Sequence, residues 1–139
     1  MGTKPSRSPD NKAVVAFLDG RRMKGYIYNF SALKDTFTLF LRDYAPGEEG
    51  IKVKMESLKA VFFVHDFIGN SESEDVSDTE TAKHGRSIEV IYSDGESLRG
   101  YTDAYNPQKL GFFMFPANPK SNNIRIFVVS KNALQIKFC

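Results

Sequence analysis

Phe17-Leu18-Asp19-Gly20, followed by Gly25-Tyr26, returns later in the chain as Tyr92-Ser93-Asp94-Gly95 and Gly100-Tyr101. An Asp-Gly pair between apolar runs marks a tight hairpin turn, because Gly tolerates the positive φ the turn needs and Asp can accept a local backbone hydrogen bond. Two hairpins continued in the same way predict a repeated β unit. The repeat shows as a constant offset: adding 75 takes Val15 to Val90, Asp19 to Asp94, Gly25 to Gly100, Tyr26 to Tyr101, Lys34 to Lys109 and Phe37 to Phe112. Past the loop at 44–50 the best residue match shifts to an offset of 73, which aligns Ile51 with Ile124, Val53 with Ile126, Ala60 with Ala133 and Val61 with Leu134.

Around these turns the segments read as strands. Ala13 to Phe17 is a β run, and Met23 to Phe30 returns from the turn rich in aromatics, with Gly25 marking a bend. Phe37 to Leu41 alternates, as do Ile51, Val53 and Met55 with Lys52, Lys54 and Glu56, and Lys59 to Phe63 closes the first unit. In the second unit Ser87 to Tyr92, Ser97 to Tyr105, Phe112 to Phe115, Ile124 to Val129 and Ala133 to Phe138 follow in the same order. No segment carries a sustained helical period. The expected organisation is a polar arm at 1–11, a first β-barrel unit at 12–69, an acidic linker at 70–85 and a second unit at 86–139.

The totals describe an ordinary globular chain of 139 residues with 12 Phe and 6 Tyr to fill two small cores. The net charge of +2 conceals a split. Glu72, Glu74, Asp75, Asp78 and Glu80 fall together in the linker; setting those five aside leaves 12 acids against 19 basic residues. The remainder therefore favours anionic partners, although lysines on β edges also guard against edge pairing. A single cysteine, Cys139, permits no internal disulfide and suits a reducing cytoplasm. Met1 to Pro9 lacks the apolar run of a secretory signal, and no stretch is long enough for a membrane helix.

Within each unit a long hairpin, a bent second strand, a third strand and a short closing pair resemble the plan of five-stranded SH3-like barrels. Leu18-Asp19-Gly20-Arg21, Gly25, Ile27, Phe30 and Leu39-Phe40-Leu41 resemble the first motif of the Sm-like subgroup. That likeness implies an all-β fold of two tandem SH3-like (Sm-like) barrels. The RNA-binding residues of Sm-like proteins are not reproduced: Ser31 follows Phe30, Asp35-Thr36 precedes Phe37, and the later strand reads Lys52-Val53-Lys54. Leu58 to Val64 and Gly111 to Pro116 also resemble phrases of an uncharacterised family of bacterial cytoplasmic proteins. A PilZ-type barrel shares Asn29-Phe30-Ser31, but Lys34 stands where its motif needs Gly.

Catalysis finds little to build on. His65 lies beside Asp66 and His84 falls in the linker; one Cys and two His at unrelated spacings form neither a triad nor a zinc site. The Asp-Gly turns precede strands, so no helix N-terminus cradles a phosphate. No catalytic residue, cofactor or metal is therefore expected. Protein binding is the leading reading, through the aromatic surplus of Phe62, Phe63, Phe67, Phe112 and Phe113, whose alternative role is the contact between units. The rival is an RNA binder using Arg21, Arg22 and Lys24 of the first hairpin with Lys52 and Lys54, and Lys59 on the adjoining strand.

Overall fold

A computed structural model describes residues 12–28, 30–41, 50–65, 67, 85–118 and 121–138. The first five strands are β1 (Lys12–Phe17), β2 (Arg22–Tyr26), β3 (Thr36–Leu39), β4 (Ile51–Lys54) and β5 (Leu58–Val64). The second five are β6 (Arg86–Ile91), β7 (Ser97–Thr102), β8 (Phe112–Pro116), β9 (Asn123–Val128) and β10 (Gln135–Phe138). A 3-10 turn precedes the last strand of each set, at Met55–Ser57 and Ser130–Asn132. The described residues contain no α-helix.

The two Asp-Gly turns are built alike. Gly20 and Gly95 sit at φ 97° and 95°, where a side chain would strain the backbone. Phe17 N–H donates to the Arg21 carbonyl at 2.9 Å and Gly20 N–H to the Phe17 carbonyl at 3.0 Å; Tyr92 and Gly95 repeat both bonds at 2.8 and 2.9 Å. In each turn the Asp Oδ1 accepts the N–H two residues on, from Arg21 at 2.9 Å and from Glu96 at 3.0 Å. Gly25 and Gly100 have a different reason. A Cβ on Gly25 would stand 2.5 Å from the Phe40 carbonyl oxygen, and one on Gly100 would collide with the Phe115 carbonyl oxygen, so only glycine lets the third strand cross there.

Pairing registers carry the same offset from end to end. β1 and β2 pair Ala13 with Gly25, and β6 and β7 pair Ile88 with Gly100. An isolated bridge joins Tyr26 to Phe40, as β7 and β8 join Tyr101 to Phe115. Phe37 opposes Val53 in β3–β4, and Phe112 opposes Val128 in β8–β9. β5 aligns Val61 with Val15, and β10 aligns Ile136 with Val90. The offset is therefore 75 throughout, and the shift to 73 is overturned. Ile51 corresponds to Ile126 and Val61 to Ile136, because ladder registers hold where local residue identities coincide by chance.

The eight-stranded sheet runs β10-β6-β7-β8-β9-β5-β1-β2, and the β3–β4 pair hangs from β2 by the Tyr26 to Phe40 bridge. Each set of five thus has the order fifth-first-second-third-fourth. The sheets are not closed into barrels, which corrects the expectation of two tandem five-stranded barrels. Closure would need β4 on β5 and β9 on β10; instead β5 gives its second edge to β9, with Val61 opposite Phe127 and Phe62 opposite Ile126. Among the described residues β4 and β10 each keep one unpaired edge.

This joining pair feeds two cores. Val61 and Phe63 of β5, with Phe127 and Val129, face a core completed by Ala13, Val15, Phe37, Leu39 and Val53. Ala60, Phe62 and Val64, with Ile126 and Val128, face the other, completed by Ile88, Val90, Phe112 and Met114. Alternate residues of one strand point to opposite faces, so β5 and β9 must be apolar on both. At the outer edges the equivalents of Phe127 and Val129 are Lys52 and Lys54, and those of Ala60 and Phe62 are Gln135 and Lys137, all exposed. The same position is apolar where the edge is paired and polar where it meets water, which blunts the free edges. Phe127→Lys should accordingly cost about 3–5 kcal/mol in a urea titration, the range for losing a buried ring, while Lys52→Phe should shift stability by no more than about 0.5 kcal/mol.

Candidate functional site

The segment after β2 and its equivalent after β7 end in matching turns. Lys34 N–H donates to the Ser31 carbonyl at 3.3 Å and Lys109 N–H to the Asn106 carbonyl at 3.0 Å. Each turn is tied to the 3-10 turn of its own unit, by Met55 N–H to the Asp35 carbonyl at 2.9 Å and by Ser130 N–H to the Leu110 carbonyl at 3.1 Å. The two turns converge on one cleft of about 630 Å³, lined by Leu33, Lys34, Asp35, Gln108, Lys109 and Leu110 among others. Past Asp35, Thr36 and Leu110 it adjoins a hollow of about 390 Å³ bordered by Lys54, Glu56 and Lys131. Four lysines thus face two carboxylates. No ion pair engages any of the four among the described residues. Leu33 is 82% exposed at the rim.

A second surface is aromatic. Tyr26 stacks on Tyr28 with ring centroids 6.5 Å apart and meets Phe67 edge-on at 5.3 Å, while Tyr28 leans on Phe40 at 5.8 Å. All four rings are half-buried, and Leu41, next in the chain after Phe40, is exposed. Lys24 Nζ donates to the Phe67 carbonyl at 3.1 Å and anchors the patch. In the second unit Tyr26 and Phe40 have the equivalents Tyr101 and Phe115, whereas Tyr28 is replaced by Asp103.

Of the aromatic residues expected to meet a partner, Phe62 and Phe112 lie in one core and Phe63 in the other, and Phe113 packs against the latter. Phe30, Phe63, Phe113 and Phe127 form a ring cluster with centroids 5.1 to 6.2 Å apart. The Arg125 guanidinium sits over Phe63 at 4.7 Å and over Phe113 at 4.5 Å. Only Phe67 joins the surface patch.

The basic residues of the first hairpin are largely engaged. Arg21 pairs with Asp19 at 2.8 Å and lies over the Phe17 ring at 4.7 Å; Arg22 pairs with Glu96 at 3.1 Å and lies over Phe62 at 5.5 Å. Lys52 and Lys54 are exposed on β4. Lys59 does not share their surface: it is 7% exposed and reaches across to the second unit, donating to Asp94 and, at 2.8 Å, to Glu96. Tyr92 O–H donates to the Lys59 carbonyl at 3.0 Å and its ring lies 5.4 Å from the ammonium. A lone lysine inside the otherwise apolar run Leu58 to Val64 is the sequence signal for such a buried, paired cation. His65 is exposed; Asp66, His84, Cys139, the arm at 1–11 and nearly all of the acidic linker lie outside the described residues. Among the described residues no group of three His, Cys, Asp or Glu could hold a metal, and no helix is long and apolar enough to cross a membrane.

These features define an all-β protein whose two five-stranded sets share one strand pair. The chain belongs to a family of unknown function, DUF6982, which matches residues 9–138. No curated protein and no solved structure matches it.

The Lys59 cluster gives the fold a pH dependence. Its hydrogen bonds to Asp94 and then Glu96 hold the Lys59 amine above the ordinary lysine value of 10.5. The same bond to Lys59, then the Glu96 N–H, holds the Asp94 carboxyl below 3.8. Burial first, then the charges of Glu96 and Asp94, push the Tyr92 phenol up. A depressed carboxyl stabilises the fold above its unfolded value, and that contribution is lost as pH falls through the folded one. A raised amine does the reverse, its contribution being lost as pH climbs through the folded value above 10.5. Lys59→Met should therefore flatten the loss of stability below pH 3.8 when chemical denaturation is repeated across an acid series.

Proposed function

We propose that this protein is a non-catalytic, cytoplasmic adaptor that binds a protein partner through the aromatic patch of its first unit. The single observation that supports this reading is the Tyr26, Tyr28, Phe40 and Phe67 cluster, four half-buried rings with the exposed Leu41 following Phe40 in the chain. Tyrosine and phenylalanine present large apolar area at little entropic cost and dominate the energetics of protein interfaces. Tyr26, Tyr28 and Phe40 belong to neither core, while Phe67 also packs against the second one. Tyr26 and Phe40 are repeated in the second unit as Tyr101 and Phe115, but Asp103 replaces Tyr28, so the four-ring cluster goes beyond what the repeated fold requires.

The two units are read as opened-out relatives of the SH3-like (Sm-like) plan, each strand set left unclosed by the sharing of β5 and β9. The RNA reading has less to stand on, because Arg21, Arg22 and Lys24 already have partners within the protein, which leaves it the exposed Lys52 and Lys54. Anion attraction by the first three groups would have to break these contacts.

The test is affinity capture from cell extract with the parent chain and with Tyr28→Asp/Phe67→Asp, both first shown to melt alike. The reading expects at least one protein captured by the parent and depleted roughly tenfold or more by the double variant, the loss that about 1.4 kcal/mol of contact energy produces. Equal capture by both chains, or ribonuclease-sensitive capture alone, would contradict it.

A further inference from the structure

The cleft between the two matching turns has the chemistry of a ligand site, and nothing in the aromatic-patch reading uses it. Its volume, about 630 Å³, falls within the range that binds drug-sized ligands or short peptide segments. Lys34 and Lys109 are equivalent residues of the two units, so one turn geometry delivers two ammonium groups to one cleft. Lys54 and Lys131 continue the positive lining into the adjoining hollow. Because none of the four has an ion-pair partner among the described residues, their charge is available to a ligand. Several cations elsewhere are already paired, Arg21, Arg22 and Lys59 among them.

We infer that this cleft binds an extended acidic peptide segment carrying an apolar side chain. Three features select a peptide among anions. Leu33, 82% exposed, and the half-buried Leu110 offer an apolar contact between the lysines. Among the described residues the lining contains no aromatic ring on which nucleobases could stack, the usual platform for single-stranded nucleic acid. Asp35 and Glu56 can accept peptide N–H groups, donors that a phosphate backbone does not have. Four ammonium groups beside two carboxylates suit a main chain bearing glutamate or aspartate side chains.

The test uses the full chain and fluorescence anisotropy with a labelled glutamate-rich peptide interrupted by single leucines. The peptide should bind saturably, more weakly as salt rises, because exposed charge pairs are screened. Lys34→Glu/Lys109→Glu should weaken it at least about tenfold by replacing attraction with repulsion on both sides of the cleft. Lys52→Glu/Lys137→Glu, which changes charge equally on β4 and β10 outside the cleft, should leave it nearly unchanged, and the Tyr28→Asp/Phe67→Asp chain should bind like the parent. Undiminished binding by the folded Lys34→Glu/Lys109→Glu chain would overturn the assignment. So would no peptide binding at low salt, or tighter binding of an oligothymidine of similar length.

Discussion

One antiparallel strand pair decides the architecture: β5 of the first set against β9 of the second. A strand has two edges and two faces, and in this pair all of them are committed. β5 takes β1 on one edge and β9 on the other, while its alternating side chains supply Val61 and Phe63 to one core and Ala60, Phe62 and Val64 to the other. Each core therefore borrows from the neighbouring set what its own fourth or fifth strand would supply in a closed barrel. Burying one such side chain is worth about 1.5–3 kcal/mol, so the borrowed residues outweigh any single hydrogen bond at the junction. The Lys59 pairings with Asp94 and Glu96 sit over this seam and fix which hairpin turn of the second set lies against the first.

Much of this was open to reading in the residues, for identifiable reasons. An Asp-Gly turn has few alternatives, so the two hairpins declare themselves, and an offset of 75 follows from residues whose backbone role is narrow: Gly20, Gly25 and their equivalents. The doubled aromatics of Phe62-Phe63 and Phe112-Phe113 announce burial on two faces. What they do not announce is which strand fills the free edge, because backbone hydrogen-bonding groups are the same in every residue. That is why closure of each unit on itself and the sharing of β5 with β9 look alike in the sequence. The offset beyond the 44–50 loop misleads for a related reason. Lys52 and Phe127 occupy one register position but opposite environments, so matching residue types there follows chance identities rather than the ladder.

The candidate sites were less legible than the fold. Phe67 and Lys24 are ordinary in sequence and become a pair only when the chain returns after β5. Lys34 and Lys109 are visible as equivalents, yet their shared cleft depends on how the two sets are joined, which again rests on β5 and β9. The two sets differ where the repeat is broken: Tyr28 against Asp103 on the aromatic surface, and Glu56 against Lys131 beside the cleft. A symmetric scaffold with asymmetric surfaces can present two dissimilar contacts at fixed spacing, as the proposed adaptor role would require.

The sharing of β5 and β9 is tested most directly by cross-strand nuclear Overhauser contacts in the intact chain. The account expects backbone contacts linking β5 to β9 around Val61 and Phe127 and around Phe62 and Ile126. Contacts linking β5 to β4 and β10 to β9 instead, the signature of two separately closed units, would contradict it.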